Sequence, residues 1–418
     1  MQIEIESLAF GGAGIAKKDG KVFFVIGGLP KDVLEINIIK DKGSYAEAVI
    51  ANIIEPSPDR IEPNCPVFKL CGGCQLQNLT YPAQLREKEH ILKETMGRIG
   101  GMHDAPLEPI VSSPKEFGFR NKVTLSAWFY KGQWHLGYNQ KGSTRKVPIE
   151  SCPISEEIVD KTITKISNVL SSLGDPHFPL DKIHISSNGV KSQITLVPVH
   201  NRKGDTLKTL HRHLKRHTET ENVSIAGIGE TEFEFSILGN KFITTPSAFT
   251  QVNSSINELM INTVLEWAEL NENTTVLDLY SGIGNFSIPL ARASKEVLGI
   301  EISKNSVKLA NKNAELNSVK NIVFQNASSE DAIAILNDQE EKFDLVVLDP
   351  PREGAKEIIS GLVKLNPEKI IYISCDPATL ARDLKKLGEL GYKVQKVQPF
   401  DMFPQTFHIE SVTLLAKS

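Results

Sequence analysis

Long apolar runs are missing from this sequence: nowhere do 18 consecutive apolar residues occur, so no transmembrane helix is expected. No secretory leader is expected either. The N-terminus MQIEIESLAFGG carries Glu4 and Glu6 where a signal peptide would be basic and then apolar. Positive charge is not in excess: 47 Lys and Arg stand against 51 Asp and Glu, a net charge of −4, so no global field draws the chain to polyanions. Any such binding must come from a local patch. Cysteine is scarce, with five in 418 residues, an odd number too sparse for a disulfide scaffold. Internal repeats and low-complexity tracts are also lacking, and 40% hydrophobic with 23% charged residues excludes a mostly disordered chain. The chain reads as a cytosolic, globular protein, expected to be a monomer, with no membrane partner.

Three segments are expected. Residues 1–58 hold four or five short strands separated by glycine turns, the pattern of a small β-barrel. Pro56, Pro58, Pro63 and Pro66 then break the chain. Residues 59–240 form a mixed central domain. Its parts are a helix within 75–100 starting at Tyr81-Pro82, strands over 110–150 with a hairpin turn at Lys131-Gly132, a second hairpin at Asn188-Gly189, and a helix over 204–217. From 241 to 418, apolar runs such as TTVLDLYSG, KEVLGIEIS, NIVFQN, FDLVVLDPP and KIIYISCD alternate with helical stretches. Strands buried on both faces argue for a parallel, doubly wound α/β sheet. Ligands of such sheets sit at the carboxyl ends of the strands.

The first of these strands runs into Asp278-Leu-Tyr280-Ser-Gly282-Ile-Gly284-Asn285. Gly282 and Gly284 permit a tight turn and a close approach of backbone to ligand, although an ordinary βα turn looks the same. The second strand ends at Glu301, where a carboxylate can accept hydrogen bonds from both ribose hydroxyls of a nucleotide. Asn326, after the third, can present its amide to an adenine. The fourth ends Leu348-Asp349-Pro350-Pro351-Arg352, an Asp-Pro-Pro shared by methyltransferases of planar bases. In the amino-group enzymes an aromatic follows the prolines; Arg352 stands there instead, which weakens that reading.

The fifth strand delivers Cys375, a thiol far in sequence from the other four, just before a helix whose N-terminus should favour the thiolate. Thiolate addition to C6 of uracil would make C5 nucleophilic enough to take a methyl group. A base must then remove the C5 proton. Glu410, at the start of the last strand, is the candidate base, with His408 as its rival.

Together TPSAFTQVN, DLYSGIGNFS, LDPPREG, YISCDPATLARDL and FPQTFHIESV resemble the RNA 5-methyluridine (uracil-C5) methyltransferase family, and residues 1–58 look like its TRAM domain. The resemblance covers essentially the whole chain. It implies a C-terminal Rossmann-like class I methyltransferase domain, with Cys375 as nucleophile and Glu410 as proton acceptor. It implies contacts to S-adenosylmethionine at Gln251, Tyr280, Asn285, Glu301 and Asp349, and at Asn326 by a looser match. Family habit favours 23S ribosomal RNA as substrate. A tRNA T-loop enzyme is the alternative, and a non-catalytic RNA-binding iron–sulfur protein the alternative outside the class.

Cys65, Cys71, Cys74 and Cys152 remain, with five, two and 77 residues between them. Spacing alone leaves zinc and [4Fe–4S] both open. The resemblance points to a [4Fe–4S] cluster, which four thiolates would saturate. Its role would be structural or RNA-positioning, not radical chemistry. RNA itself should meet residues 115–150. There Lys115, Arg120, Lys122, Lys131, Lys141, Arg145 and Lys146 face only Glu116 and Glu150, a surplus of five positive charges. Phe117, Phe119, Trp128, Phe129, Tyr130, Trp134 and Tyr138 are interleaved, and some of them must fill a core. The basic run His211–His217 reads as a solvated helix face, and the N-terminal barrel offers a third RNA contact. The target uridine must leave any stack to reach Cys375.

Overall fold

A computed structural model describes residues 1–174, 178–199, 205–218, 222–227 and 231–418. Its first strands, Gln2–Glu4, Ser7–Leu8, Ala13–Lys18, Lys21–Ile26, Val33–Asp41 and Tyr45–Glu55, form one six-stranded sheet. Gln2–Glu4 and Ser7–Leu8 stand at its two edges. The chain between them bonds to both sides: Ile5 N donates to Asp32 O and Glu6 N to Ile15 O, which closes the sheet into the expected barrel. Alternate residues fill it, among them Ile3, Ile5, Phe23, Val25, Leu34 and Ile36.

The central sheet has the order Val223–Ile225, Ser192–Pro198, Leu180–Ser187, Lys122–Tyr130, Gln133–Asn139, Lys146–Pro148. Both expected hairpins occur in it. Lys131 and Gly132 have φ of 50° and 80°, the paired positive values of a two-residue turn whose twist matches its strands. At the other turn the Asn188 side chain accepts from Val190 N and Lys191 N at 3.1 and 2.9 Å, an Asx turn with Gly189 at φ 84°. Helices Glu157–Leu173 and Asp205–His217 cover the inner face through Ile163, Ile166, Leu170, Leu207, Leu210 and Leu214. The second helix is the one expected over 204–217; residue 204 lies outside the described residues, as does His200 at the end of the second hairpin.

The C-terminal sheet has seven strands in the order Ile322–Asn326, Glu296–Glu301, Thr275–Leu279, Leu345–Leu348, Lys369–Ser374, Glu410–Lys417, Tyr392–Phe400. The first five are parallel, as expected. The final strand of the chain runs against them, inserted antiparallel between Lys369–Ser374 and Tyr392–Phe400. Side chains alternate between two cores: Leu277, Leu279, Val346, Leu348, Ile370 and Tyr372 face one, and Val276, Leu345, Val347, Ile371 and Ile373 the other. That double burial is why these strands are apolar throughout.

One element crosses the expected boundary near 240. Helix Tyr81–Gly100 inserts Leu92 and Met96 into the C-terminal core beside Leu277, Leu380 and Leu384. After it, Leu107 and Val111 form parallel bridges to Val397 and Phe400 at the sheet edge. The helix also carries Lys88, fully buried, whose Nζ donates to Asp401 Oδ1 at 2.5 Å and to Phe403 O at 3.1 Å. Removing one partner of a buried ion pair leaves the other charge uncompensated. Lys88→Ala is therefore expected to cost about 3–5 kcal/mol in denaturant unfolding; a loss below 1 kcal/mol would mean that Asp401 finds water or another partner.

Candidate functional site

The carboxyl edge of the C-terminal sheet opens on a cavity of about 270 Å³. Gln251, Tyr280, Gly282, Asn285 and Asp349 border it, with Phe249 and, from the central sheet, Asn121 and Gly189. The turn after Thr275–Leu279 is bent by positive φ at Tyr280 (64°), Gly282 (57°) and Gly284 (91°). At Gly282 a Cβ would meet nothing within 4 Å, so its backbone is open to a ligand. At Gly284 a Cβ would crowd Ile288 and Phe324 at 3.1–3.2 Å, so this glycine serves packing and is not on the cavity wall.

Hydrogen bonds fix the wall. Asn257 and Asn285 exchange reciprocal amide bonds of 2.9 and 3.0 Å. Asn121 Nδ2 donates to Gln251 O at 3.2 Å and to Ser254 Oγ at 2.9 Å, joining the central sheet to the loop that carries Gln251. Glu301 is not on the wall. One of its oxygens accepts from Gly282 N at 3.0 Å and the other from Ser303 N at 2.7 Å, so it braces the glycine turn. Asn326 is not on the wall either: its amide nitrogen is committed to the carbonyls of Glu301 and Ile302 at 3.1 and 2.8 Å.

Two residues here carry roles that the sequence did not signal. Ser281 Oγ is buried on the wall without a hydrogen-bond partner. Such an orphaned hydroxyl suits a cavity built for a polar ligand. Asp278 is buried and accepts a hydrogen bond from Ser287 Oγ, at the first residue of helix Ser287–Ala291, which ties the strand to the helix across the glycine turn. Burial, then the nearby Asp349 and Glu301 charges, pushes Asp278 up to about 7, and burial alone brings Asp349 to about 7. Two carboxyls so destabilised as anions favour a cationic ligand nearby.

Cys375 and Glu410 meet through the inserted last strand. Its antiparallel register pairs Ser374 with Ser411, so Cys375, one residue beyond the first, lies beside Glu410, one residue before the second. Arg352 faces both, and none of the local sequence signals pointed to it for this. Burial, followed by the Glu410 and Asp349 charges, pushes the Cys375 thiol up to about 12, with Arg352 opposing. The expected helix-terminus depression of this thiol is overturned. Asp376, the next residue, caps the helix Pro377–Glu389 and takes the free N–H groups of Ala378 and Thr379 at 2.9 and 3.0 Å. The positive helix end is thus used by a carboxylate, not by the thiol.

Glu410 is 5% exposed, and burial, then the Asp349 charge, raises its carboxyl well above the usual range. His408 moves the other way. Its ring lies 4.2 Å from that of Phe407, and burial, then the charges of Arg352, Lys88 and Arg120, brings it down to about 4. A raised carboxylate is a strengthened base and a depressed imidazole a weakened one. Neither residue sits in a solvated turn.

A second cavity, of about 380 Å³, is lined by Cys65, Cys71, Cys74 and Cys152, together with Arg120, Tyr138 and Phe249. Folding thus gathers four cysteines from two distant segments. Burial, then the other three thiols, pushes Cys74 up to about 12, with a hydrogen bond from Gln77 opposing. Among the described residues no group of three or more His, Cys, Asp or Glu is placed to hold a metal ion, so the four thiols border the cavity without a ready ligand geometry.

The aromatic segment divides between the two faces of its sheet. Phe119 and Trp134 are core residues, and Phe129 and Tyr138 pack against that core. Trp128 stacks with His135 on the outer face at 5.5 Å, and Lys146 Nζ lies 5.3 Å from the Trp128 ring. Tyr130 is exposed there as well. On helix Asp205–His217, Arg212, Lys215, Arg216 and His217 are exposed opposite its buried leucines.

The profile of the tRNA (Uracil-5-)-methyltransferase family matches residues 80–418, and that of the TRAM domain residues 1–51. The chain is 35% identical to the 23S rRNA (uracil(1939)-C(5))-methyltransferase RlmD of Haemophilus influenzae, over 98% of this chain and 95% of that protein. It is 33% identical to the RlmD of Vibrio parahaemolyticus, over 100% and 96%. An uncharacterized RNA methyltransferase of Halalkalibacterium halodurans is 34% identical over 99% and 96%. Among solved structures, the Pyrococcus abyssi tRNA (uracil-54, C5)-methyltransferase in complex with S-adenosyl-L-homocysteine superposes with a TM-score of 0.75 over 100% of both chains at 23% identity, a likeness of fold. Among the described residues no helix is long and apolar enough to cross a membrane.

Proposed function

The chain belongs to the tRNA (Uracil-5-)-methyltransferase family and is an S-adenosylmethionine-dependent RNA uracil-5-methyltransferase, and from that premise we propose that it methylates C5 of a uridine in 23S ribosomal RNA. The choice of ribosomal over transfer RNA rests on the two relatives named RlmD, matched over 95% and 96% of their length. The observation that carries the chemistry is the register that sets Cys375 beside Glu410, both within reach of the charge of Asp349 on the cavity wall. S-adenosylmethionine, when bound, supplies an electrophilic methyl group. Ser281, Asn285, Asp349 and Gln251 border the cavity that would receive it.

In this reading Cys375 gives its proton to solvent water as the substrate binds, and the thiolate sulfur adds to C6 of the flipped uracil. The ring becomes an enolate, and C5 takes the methyl group. Glu410 then removes the C5 proton. The C5–C6 double bond re-forms and the thiolate departs. Arg352, facing both groups, stabilises the anionic forms of each. The outer face of the central sheet, with Trp128, His135, Tyr130 and Lys146, would receive unstacked bases, at about 1–3 kcal/mol per stacked base.

Cys65, Cys71, Cys74 and Cys152 would hold a [4Fe–4S] cluster. The donor set fits one: four thiols share one cavity, and each binds a different iron in such a cluster, so they need not converge on a point. It would cross-link the segment around 65–74 to the one around 152. Zinc is the second reading of the same thiols. Anaerobic purification should give a brown protein with about four irons per chain; stoichiometric zinc instead would overturn the cluster. The function itself is tested by incubating the protein and cofactor with 23S RNA containing 5-fluorouracil. Fluorine at C5 cannot leave as a cation, so a covalent protein–RNA adduct should persist. Failure to form one, with the same RNA in its uracil form methylated, would exclude covalent catalysis. Adduct with tRNA only would move the substrate.

A further inference from the structure

The loop Asp401–Ile409 leads into Glu410 and is held at three points by residues more than 300 positions earlier. At its start Asp401 is paired with Lys88. At its end Ile409 is buried among Leu76, Leu79, Ala83 and Ile91. Between them stands Gln405, a non-glycine residue at φ 69° and only 2% exposed. A side chain rarely adopts this left-handed backbone unless its surroundings over-determine it, and such positions cluster at functional sites.

The surroundings here are explicit. Gln84, one helix turn before Lys88 and 1% exposed, accepts from Gln405 N with Oε1 at 3.0 Å. Its Nε2 is directed at Gln405 Oε1, Leu79 O and Leu76 O at 2.9, 2.9 and 3.0 Å. The Gln405 carbonyl accepts from the backbone N–H groups of Gln75 and Leu76, both at 3.0 Å. Those two residues directly follow Cys74. The amide of one side chain thus grips both backbone and side chain of another, and the turn after the cysteines closes over the same residue.

We propose that Gln84 and Gln405 form an amide latch that positions Glu410 for proton abstraction, making Gln84 a positioning residue for the elimination step. The inference rests on the assignment of Glu410 as base. If the latch opens, Gln405 can relax to an ordinary backbone conformation and the segment up to Glu410 shifts. A misplacement of about 1 Å in a positioned group costs up to about a hundred-fold in rate. Addition of Cys375 and methyl transfer depend on the other strand end and on the cofactor wall, so they are spared.

Single-turnover reactions on uridine-containing RNA test this with two variants. Gln84→Met keeps the volume and removes the hydrogen bonds. Gln405→Asn tolerates the left-handed backbone but is too short to reach the Gln84 amide. Both should transfer the methyl group at near the wild-type rate, bind cofactor unchanged, and release product about ten- to a hundred-fold more slowly, with covalent adduct building up. Equal slowing of both steps, or no slowing of either, would overturn the latch. Glu410→Gln, run in parallel, separates the two readings. Adduct in Glu410→Gln but in neither latch variant overturns the latch and leaves the base; prompt release from Glu410→Gln overturns both.

Discussion

Cys375→Ala should abolish uracil methylation while leaving cofactor binding intact. C5 of an unactivated uracil is too weak a nucleophile to take a methyl group, so without the sulfur no alternative route exists at this site. Losses on removing a covalent nucleophile reach about 10⁶-fold in turnover. Cofactor affinity should hold because Cys375 is not on the wall of the 270 Å³ cavity. The measurement pairs methyl incorporation into RNA with a binding titration of S-adenosylmethionine. Turnover within a hundred-fold of wild type would move the nucleophile elsewhere. The thiol's rise to about 12 has a consequence for its activation. In the RNA-free protein at neutral pH it is protonated, so the thiolate must form as the substrate arrives. Bound uracil, by shielding the exposed Arg352 guanidinium from solvent, strengthens the attraction of that cation for the thiolate. Alkylation of Cys375 by a thiol reagent should accordingly be slow in the RNA-free protein and speed up as pH rises toward 9.

Glu410→Gln should separate the two halves of the reaction. Glutamine keeps the size of the side chain but cannot accept the C5 proton, so methyl transfer proceeds and elimination stalls. Loss of a positioned general base costs about 10²–10⁴-fold. The expected result is a covalent protein–RNA species that resists denaturation and carries the transferred methyl group. Prompt release of methylated RNA would shift the role to His408. The geometry argues against that shift. A histidine brought down to about 4 is a weakened proton acceptor, whereas burial strengthens the ionised Glu410 carboxylate as one.

Much of this site was legible along the chain. Gly282 and Asp349 line the cavity at the carboxyl edge of the sheet, the place where α/β sheets bind, and Cys375 follows the neighbouring strand. Glu301 and Asn326 stood at equally good strand ends, yet their side chains hold the backbone of neighbouring turns. Which acceptor a side chain takes depends on loops that no periodicity describes. The barrel and both central hairpins were legible for a simpler reason: they are fixed by glycines, asparagines and alternation within a few residues of one another.

The sequence by itself determined the parallel sheet, the glycine turn, the thiol at the fifth strand and the separation of four cysteines from one. These follow from local patterns: apolar runs, turn chemistry and spacing. Only the tertiary structure decided what meets what. The antiparallel insertion of the last strand puts Glu410 beside Cys375. Helix Tyr81–Gly100 leaves its own segment to complete the C-terminal core and to hold the Asp401–Ile409 loop. The Asp376 cap takes the helix end from the thiol. Each is a contact between residues distant in sequence or a competition among near neighbours for the same donors. Such outcomes are settled by burial and hydrogen-bond satisfaction in three dimensions, which no window along the chain contains.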